Sequence, residues 1–112
     1  MAASNLSVLT RTIRATGALT AHRAVTYAGV VPAAAAACAG FSQSTVASGA
    51  LAPVDALGTT IAESGAAIAV GAALELDASG RVITRSAGVT VGRACAAAAG
   101  SGEFIEIMLI PN

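Results

Sequence analysis

The stretch GAAIAVGAALELDASGRVIT, residues 65–84, constrains what this chain can fold into more than any other. Leu74 and Leu76 alternate with Glu75, the period of a half-buried strand. Asp77-Ala78-Ser79-Gly80 then places Asp first and Gly fourth in a type I turn, with Gly80 free to take the positive φ of a bulge residue. This chemistry predicts a hairpin with a three-residue loop, in which Leu76 lies opposite Val82 and Glu75 opposite Ile83. One face is then apolar and the other mixed, as in an antiparallel pair at the edge of a core. Glu75 and Asp77 could be taken for a catalytic carboxylate pair, but Asp77 is better explained as a turn residue. The stretch specifies architecture rather than chemistry.

A single small domain fits 112 residues, which can bury roughly two-thirds of the unfolded surface. Hydrophobic residues make up 55% of the chain but aromatics only 3%, so much of the apolar content is alanine and the core is expected to be thin. Oligomerisation or attachment to a larger surface would supply the missing stability. The remaining strand signals run through the chain in short pieces. Residues 24–31 read as a strand stopped by Pro32, residues 58–62 as a short strand, and VTVGRAC (89–95) as a strand broken by Gly92. Pro53 is expected to keep residues 50–54 at an edge or in a loop. The alanine runs 33–39 and 96–99 are read as short helical turns, the first ended by Gly40, although such short runs are marginal alone. Gly40-Phe41 followed by Ser48-Gly49 is echoed by Gly92-Arg93 followed by Ser101-Gly102, either as a pseudo-repeat or as a chance match in a low-complexity chain.

Residues 103–110, EFIEIMLI, form the strongest strand signal. Ile105, Ile107 and Leu109 make one apolar face. Phe104, Glu106 and Met108 make the other, which is either buried on a second side of a barrel or sandwich or used in a subunit or partner interface. Residues 1–20 carry scattered apolar positions and Gly17. The set Leu9, Arg11, Ile13 against Thr10, Thr12, Arg14 gives no clean amphipathic strand, so a flexible N-terminal arm is expected, ordered on a partner by strand addition. The division is therefore an arm, 1–20, and a β-rich domain, 21–112. Candidate interface residues are Phe104 and Met108 together with Leu6, Val8, Leu9 and Ile13 of the arm.

Charge and composition argue against several function classes. Six arginines balance six acidic residues, without the basic excess of a nucleic-acid binder. Lysine is absent, which removes Schiff-base, pyridoxal-phosphate and swinging-arm chemistry. His22 is the only histidine and has no nucleophile or acid at a catalytic spacing, so it is read as a surface or arm residue. Cys38 and Cys95 sit among alanines as small hydrophobes or as a disulfide pair, without metal-ligand spacing. No enzyme, cofactor or metal is expected. Residues 24–54 carry no charge, but Pro32, Pro53, the glycines and the hydroxyl residues argue against a membrane span. Arg11 and Arg14 follow rather than precede the first apolar residues, unlike a signal peptide, so a soluble, cytoplasmically made protein is expected.

The residues AAIAVGAALELDASGRVI (66–83) and VGRACAAAAGSGEFIEIMLIP (91–111) resemble the capsid cement or head decoration proteins of tailed bacteriophages. That family reads as an alanine-rich segment leading to "Gd.L..D..Grv" and a "vGra..aa..Ge..ev.l" ending. Arg93 and Phe104 depart from it, and the first twenty residues match none of it. The resemblance implies a mainly β, single-domain barrel-like or sandwich-like (β-tulip-like) fold that binds the outside of an expanded capsid. The implied partners are the major capsid protein and further copies of itself. A homotrimer at threefold positions is expected, with a dimer at twofold positions as its rival. Such a protein would clamp neighbouring capsid subunits against the pressure of packaged DNA; a tail, fibre or self-assembling shell component is the alternative.

Overall fold

In the computed structural model, which describes residues 5–112, all regular structure is strand: β1 (Ser7–Arg14), β2 (Ala24–Val25), β3 (Gly40–Ser42), β4 (Leu51–Glu63), β5 (Ala73–Leu76), β6 (Val82–Thr84), β7 (Gly92–Ala94) and β8 (Phe104–Leu109). β4 is the spine. Its first half pairs with β1 and β3, its second half with β8, and the sheet continues β8-β7-β5-β6 with all strand pairs antiparallel. The sheet curls until Ser64, just past β4, bridges Val82 on β6. A mainly β, barrel-like fold is therefore observed.

The same wiring occurs twice. Ala15 N donates to Ala50 O, Leu19 and Val46 exchange both backbone bonds, and Ala39 N donates to Val25 O. Ser64 N to Glu103 O, the Ile68–Ala98 exchange and Val91 N to Leu74 O repeat this set about fifty residues on. The Ser48-Gly49 and Ser101-Gly102 turns correspond, each glycine N–H donating to the first residue after the preceding strand, Ala15 O and Ser64 O. The echo in the sequence is thus a structural repeat, with β1 and the second half of β4 as equivalent strands.

This repeat explains why residues 7–20 are not a flexible arm in this structure. β1 pairs with β4 from Arg14↔Leu51 to Ser7↔Gly58, and Ile13, Ala15 and Leu19 are buried. The alternation Leu9, Arg11, Ile13 obscured the strand because Arg11 stands on its apolar side; its guanidinium lies 5.6 Å from the centre of the Tyr27 ring, a cation–π placement that accommodates the charge. Residues 1–4 lie outside the described residues.

Two apolar clusters result. One gathers Phe41, Leu74, Leu76, Val82, Val91, Ile105 and Ile107, and the other Ile13, Leu19, Val25, Ala52 and Val54. β4 gives Ala52 and Val54 to one and Ala62 to the other. Pro53 lies inside β4, opposite Thr12, rather than in a loop or at an edge. Its carbonyl accepts from Gln43 N (2.8 Å), so its nitrogen faces the same side, just where β3 has ended at Ser42 and no ladder bond is lost.

The hairpin takes the expected register, Leu76↔Val82 and Glu75↔Ile83, with Gly80 at φ 79°. Asp77 Oδ1 accepts from the N–H groups of Ser79 and Arg81, both at 2.9 Å. The alanine runs, by contrast, are not helical. Ala35 takes φ 63°, donates to Leu76 O (2.9 Å) and accepts from Val89 N (3.1 Å). Ala98 spends both its backbone groups on Ile68 at 2.9 Å. In runs this short, tertiary backbone bonds outweigh alanine's helix propensity. The strand expected over 24–31 is only Ala24–Val25, because the backbone turns back at Gly29, whose N–H donates to Thr26 O (3.0 Å).

Close backbone approach sets a requirement at Gly40 on β3, where a methyl would run into the carbonyl of Asp55 on β4. Its repeat equivalent Gly92 has the same relation to Met108. Gly40→Ala is expected to destabilise by about 2 kcal/mol, the cost of overpacking a site bounded by backbone. Urea unfolding would check this, and an unchanged midpoint would refute it.

Candidate assembly interface

The outward face of β8 carries two large exposed apolar side chains, Phe104 and Met108. Because opposed residues share a face, the pairs Thr59↔Met108, Ile61↔Glu106 and Glu63↔Phe104 place Phe104, Glu106 and Met108 outward, with Arg93 of β7 beside Met108. Phe104 is 54% exposed and Met108 48%, whereas Ile105, Ile107 and Leu109 are buried. β8 is therefore not buried on both sides. The His22 ring packs edge-on against Phe104 at 5.2 Å, and His22 itself holds φ 66° while its N–H donates to Ser42 O (2.8 Å) and its carbonyl accepts from Glu63 N (2.9 Å).

Leu6 joins this surface through its backbone, its N–H donating to Thr59 Oγ1 (2.7 Å) and its carbonyl accepting from Thr59 N (3.1 Å). The same hydroxyl donates to Glu106 Oε2 at 2.7 Å. Leu6, at 74% exposure, is thus brought to the end of β8 that carries Met108. Val8 is exposed farther along β1. Leu9 is opposite Leu57 at the mouth of a groove of about 280 Å³ that also takes in Arg11, Tyr27, Cys38 and Pro111. Ile13 does not belong to the surface: at 7% exposure it is a core residue, opposite Ala52. Sequence reasoning passed over Tyr27, Leu57 and Val70, all exposed, because each stands alone among small or polar neighbours; only tertiary structure brings Tyr27 and Leu57 to one groove.

Beneath the N-terminal segment lies a buried carboxylate, Asp55. It accepts from Asn5 Nδ2 (3.1 Å), Thr10 Oγ1 (3.0 Å), Thr60 Oγ1 (2.7 Å) and Gln43 Nε2. Burial pushes its pKa up, but hydrogen bonds from Thr60, Gln43, Thr10 and Ser7 outweigh that and hold it below the ordinary Asp value. Asp55 therefore fastens the start of the chain to β4 and to the segment leaving β3. Glu75 plays a similar part for the 85–88 turn: its Oε1 accepts from the N–H groups of Ser86, Ala87 and Gly88. The bonds from Ser86 and Gly88, aided by Ala87 and the charge of Arg85, hold its carboxyl below the usual value. Its stabilising contribution is present above the unfolded carboxylate value and fades as pH falls through the lower folded one. Glu75→Gln should leave the 85–88 amides exchanging faster at pH 7 and should reduce the acid dependence of that exchange; unchanged protection would count against the role.

Cys38 and Cys95 are both free, one buried and one exposed. Burial raises the Cys38 thiol to about 11, and burial together with the nearby Glu106 charge raises Cys95. Among the described residues no group of three or more His, Cys, Asp or Glu could hold a metal ion, and no helix is long and apolar enough to cross a membrane.

Comparison with known protein families gives a match to the phage cement protein model over residues 3–109. The chain belongs to the phage cement protein family. As a cement-family chain it is a structural component of a phage virion. Sequence comparison with curated proteins finds no match. Among solved structures, the N base of the head fiber gp8.5 of bacteriophage phi29 is similar, with a TM-score of 0.76, 20% identity, and coverage of 91% of this chain and 93% of that one. At that identity the likeness is one of fold. It places this cement-family chain in the same β architecture, with residues 7–20 inside the matched family segment rather than outside it.

Proposed function

We propose that this protein binds the outer surface of the expanded phage capsid and stabilises it by bridging neighbouring major capsid subunits, as a homotrimer at local threefold positions. The observation that carries the reading is the cement-family match over nearly the whole chain. The physics is compatible: a chain with small core residues leaves Leu6, Phe104 and Met108 exposed together, a surface suited to many modest contacts multiplied by symmetry. No catalytic step, cofactor or nucleic acid forms part of this reading, and synthesis in the host cytoplasm precedes attachment.

The test is co-sedimentation with expanded, undecorated heads of the parent phage, with unexpanded proheads as control. Saturable binding to expanded heads alone is the expected result, and the copy number at saturation separates threefold from twofold sites. Absence of binding to both would overturn the reading. A second reading, a head-fibre base or another self-assembling phage part, is favoured by the shape likeness to the phi29 fiber base. Ordered assembly of the purified protein without heads would support it.

A further inference from the structure

We propose that the outward row Met108-Arg93-Ala73-Arg85 is a docking face for an acidic polypeptide segment. The inference rests on the reading that this chain docks on a capsid, and gives the chemistry of the surface it meets. The row crosses four strand positions: Met108 pairs with Arg93, Arg93 with Ala73, and Arg85 N donates to Ala73 O (2.8 Å) one step beyond the Leu74↔Thr84 pair. Arg93 and Arg85 therefore flank one alanine on a common face, about 10 Å apart at two strand spacings.

Both guanidinium groups are held rather than free to wander. Arg93 Nη1 donates to Gly71 O (3.0 Å) and Arg85 Nε to Gly88 O (2.8 Å), which leaves each fork most of its donors for a partner. Among the described residues neither makes an ion pair; the ion pairs use Arg23 and Arg81 with Glu63 and Asp77. The other carboxylates are occupied as well. Asp55 and Glu75 are bound as described, Glu103 accepts from the N–H groups of Ala99 and Gly100 at 3.0 Å, and Glu106 accepts from Thr59. The chain is neutral in sum, yet neither of these arginines is closed into an ion pair, the counter-charge nearest Arg85 being Glu75, whose carboxylate is already taken up by the 86–88 amides.

The repeat supplies an independent reason to expect a cover. Thr10↔Asp55, Asp55↔Phe41 and Phe41↔Ala24 form the equivalent row of the first half, with Asp55 in the place of Met108 and Phe41 in the place of Arg93. Asp55, Phe41 and Ala24 are buried, and Ala24 N donates to Gly80 O of the second half's hairpin at 2.9 Å. The second half thus covers Phe41 and Ala24 of this row, and the N-terminal segment covers Asp55, while the second half's own row stays open. Arginine in place of phenylalanine sets the occupant's chemistry: carboxylates can take the planar forks, and Met108 and Ala73 offer an apolar floor between and beside them. A duplex needs many cations along its length, which a neutral chain with two on this face does not offer.

The test measures binding to immobilised poly-L-glutamate and, separately, to duplex DNA, at about 50 mM and about 200 mM salt. Binding to polyglutamate that weakens with salt is expected, with a loss of about tenfold in the double variant Arg85→Gln/Arg93→Gln. Arg85→Lys/Arg93→Lys should retain part of it, and Arg11→Gln/Arg14→Gln most of it. No binding to polyglutamate, binding indifferent to the Gln pair, or a preference for DNA would each overturn the proposal. The same variants on expanded heads separate the two ideas. If wild type binds heads and the Gln pair binds equally, the acidic docking face is wrong and the capsid reading stands. If wild type binds polyglutamate through the pair but not heads, the capsid reading falls and the acid-binding face stands.

Discussion

Replacing Asp55 with alanine should cost this protein about 3 kcal/mol of stability, among the largest losses available to a single polar substitution. The carboxylate is fully buried and collects bonds from Asn5, Thr10, Gln43 and Thr60. Removing it leaves the buried Thr60 hydroxyl without its acceptor and releases Asn5, Thr10 and Gln43, which reach the carboxylate from the surface, so the loss exceeds that of one ordinary hydrogen bond. Asp55→Asn should cost less, since its amide oxygen still accepts and the one threonine facing its NH2 group, Thr10 or Thr60, can turn its hydroxyl to accept. The damage should concentrate at the start of the chain: amides of β1 should lose exchange protection well before those of β5 and β6, whose hairpin makes no use of Asp55. The acid response follows from the lowered pKa. The Asp55 contribution is fully present above the unfolded value of about 3.9 and disappears as pH falls through the lower folded value. Urea unfolding at neutral and acidic pH measures both effects. A D55A protein within 1 kcal/mol of wild type, or equally protected along β1, would show that the network is incidental.

What was legible in the sequence follows the range of the interactions involved. The β5-β6 hairpin could be read to the residue because its register is set by four adjacent turn residues and a two-residue period. β8 was legible for the same local reason, though not the state of its second face, which depends on whether another strand layer lies above it. β1 was not legible. Its partner residues lie some forty positions away on β4, and Arg11 interrupts the apolar alternation for a reason, the Tyr27 ring, that no local pattern contains. The alanine runs misled because propensity was the only local signal, and it was outweighed by backbone bonds to Leu76, Val89 and Ile68. Asp55 gave no signal at all: within LAPVDALG it resembles a turn residue, and most of its donors come from distant stretches, Asn5 and Thr10 at the start of the chain and Gln43 after β3. The repeat was visible only as its glycines and turns, since the equivalent side chains have diverged from Phe41 to Arg93 and from Asp55 to Met108. That divergence separates the row buried inside the molecule from the row left exposed.

The double substitution Phe104→Glu/Met108→Glu should abolish saturable attachment to expanded heads while leaving the fold intact. Both side chains are about half exposed on the face of β8 opposite Ile105 and Ile107, so charging them removes little from the core. His22 loses an edge contact with Phe104, a cost of about 1 kcal/mol at most. At a docked interface the effect is far larger, because each central apolar anchor is worth about 2 kcal/mol and a buried glutamate adds a desolvation cost to the loss. For the pair this corresponds to about a thousandfold in Kd at a single site. In the proposed homotrimer, attachment through three linked copies would compound the loss, since the second and third contacts would depend on the effective concentration the first creates. Phe104 also stands opposite Glu63, so a glutamate there adds like-charge repulsion across the strands, which makes Phe104→Ser a necessary companion variant. Sedimentation with heads, alongside thermal unfolding of the free variants, decides the matter. Variants that melt like wild type but no longer pellet place β8 at the capsid contact; variants that pellet normally move the contact elsewhere, with the exposed Leu9, Tyr27 and Leu57 around the groove as the next surface to charge.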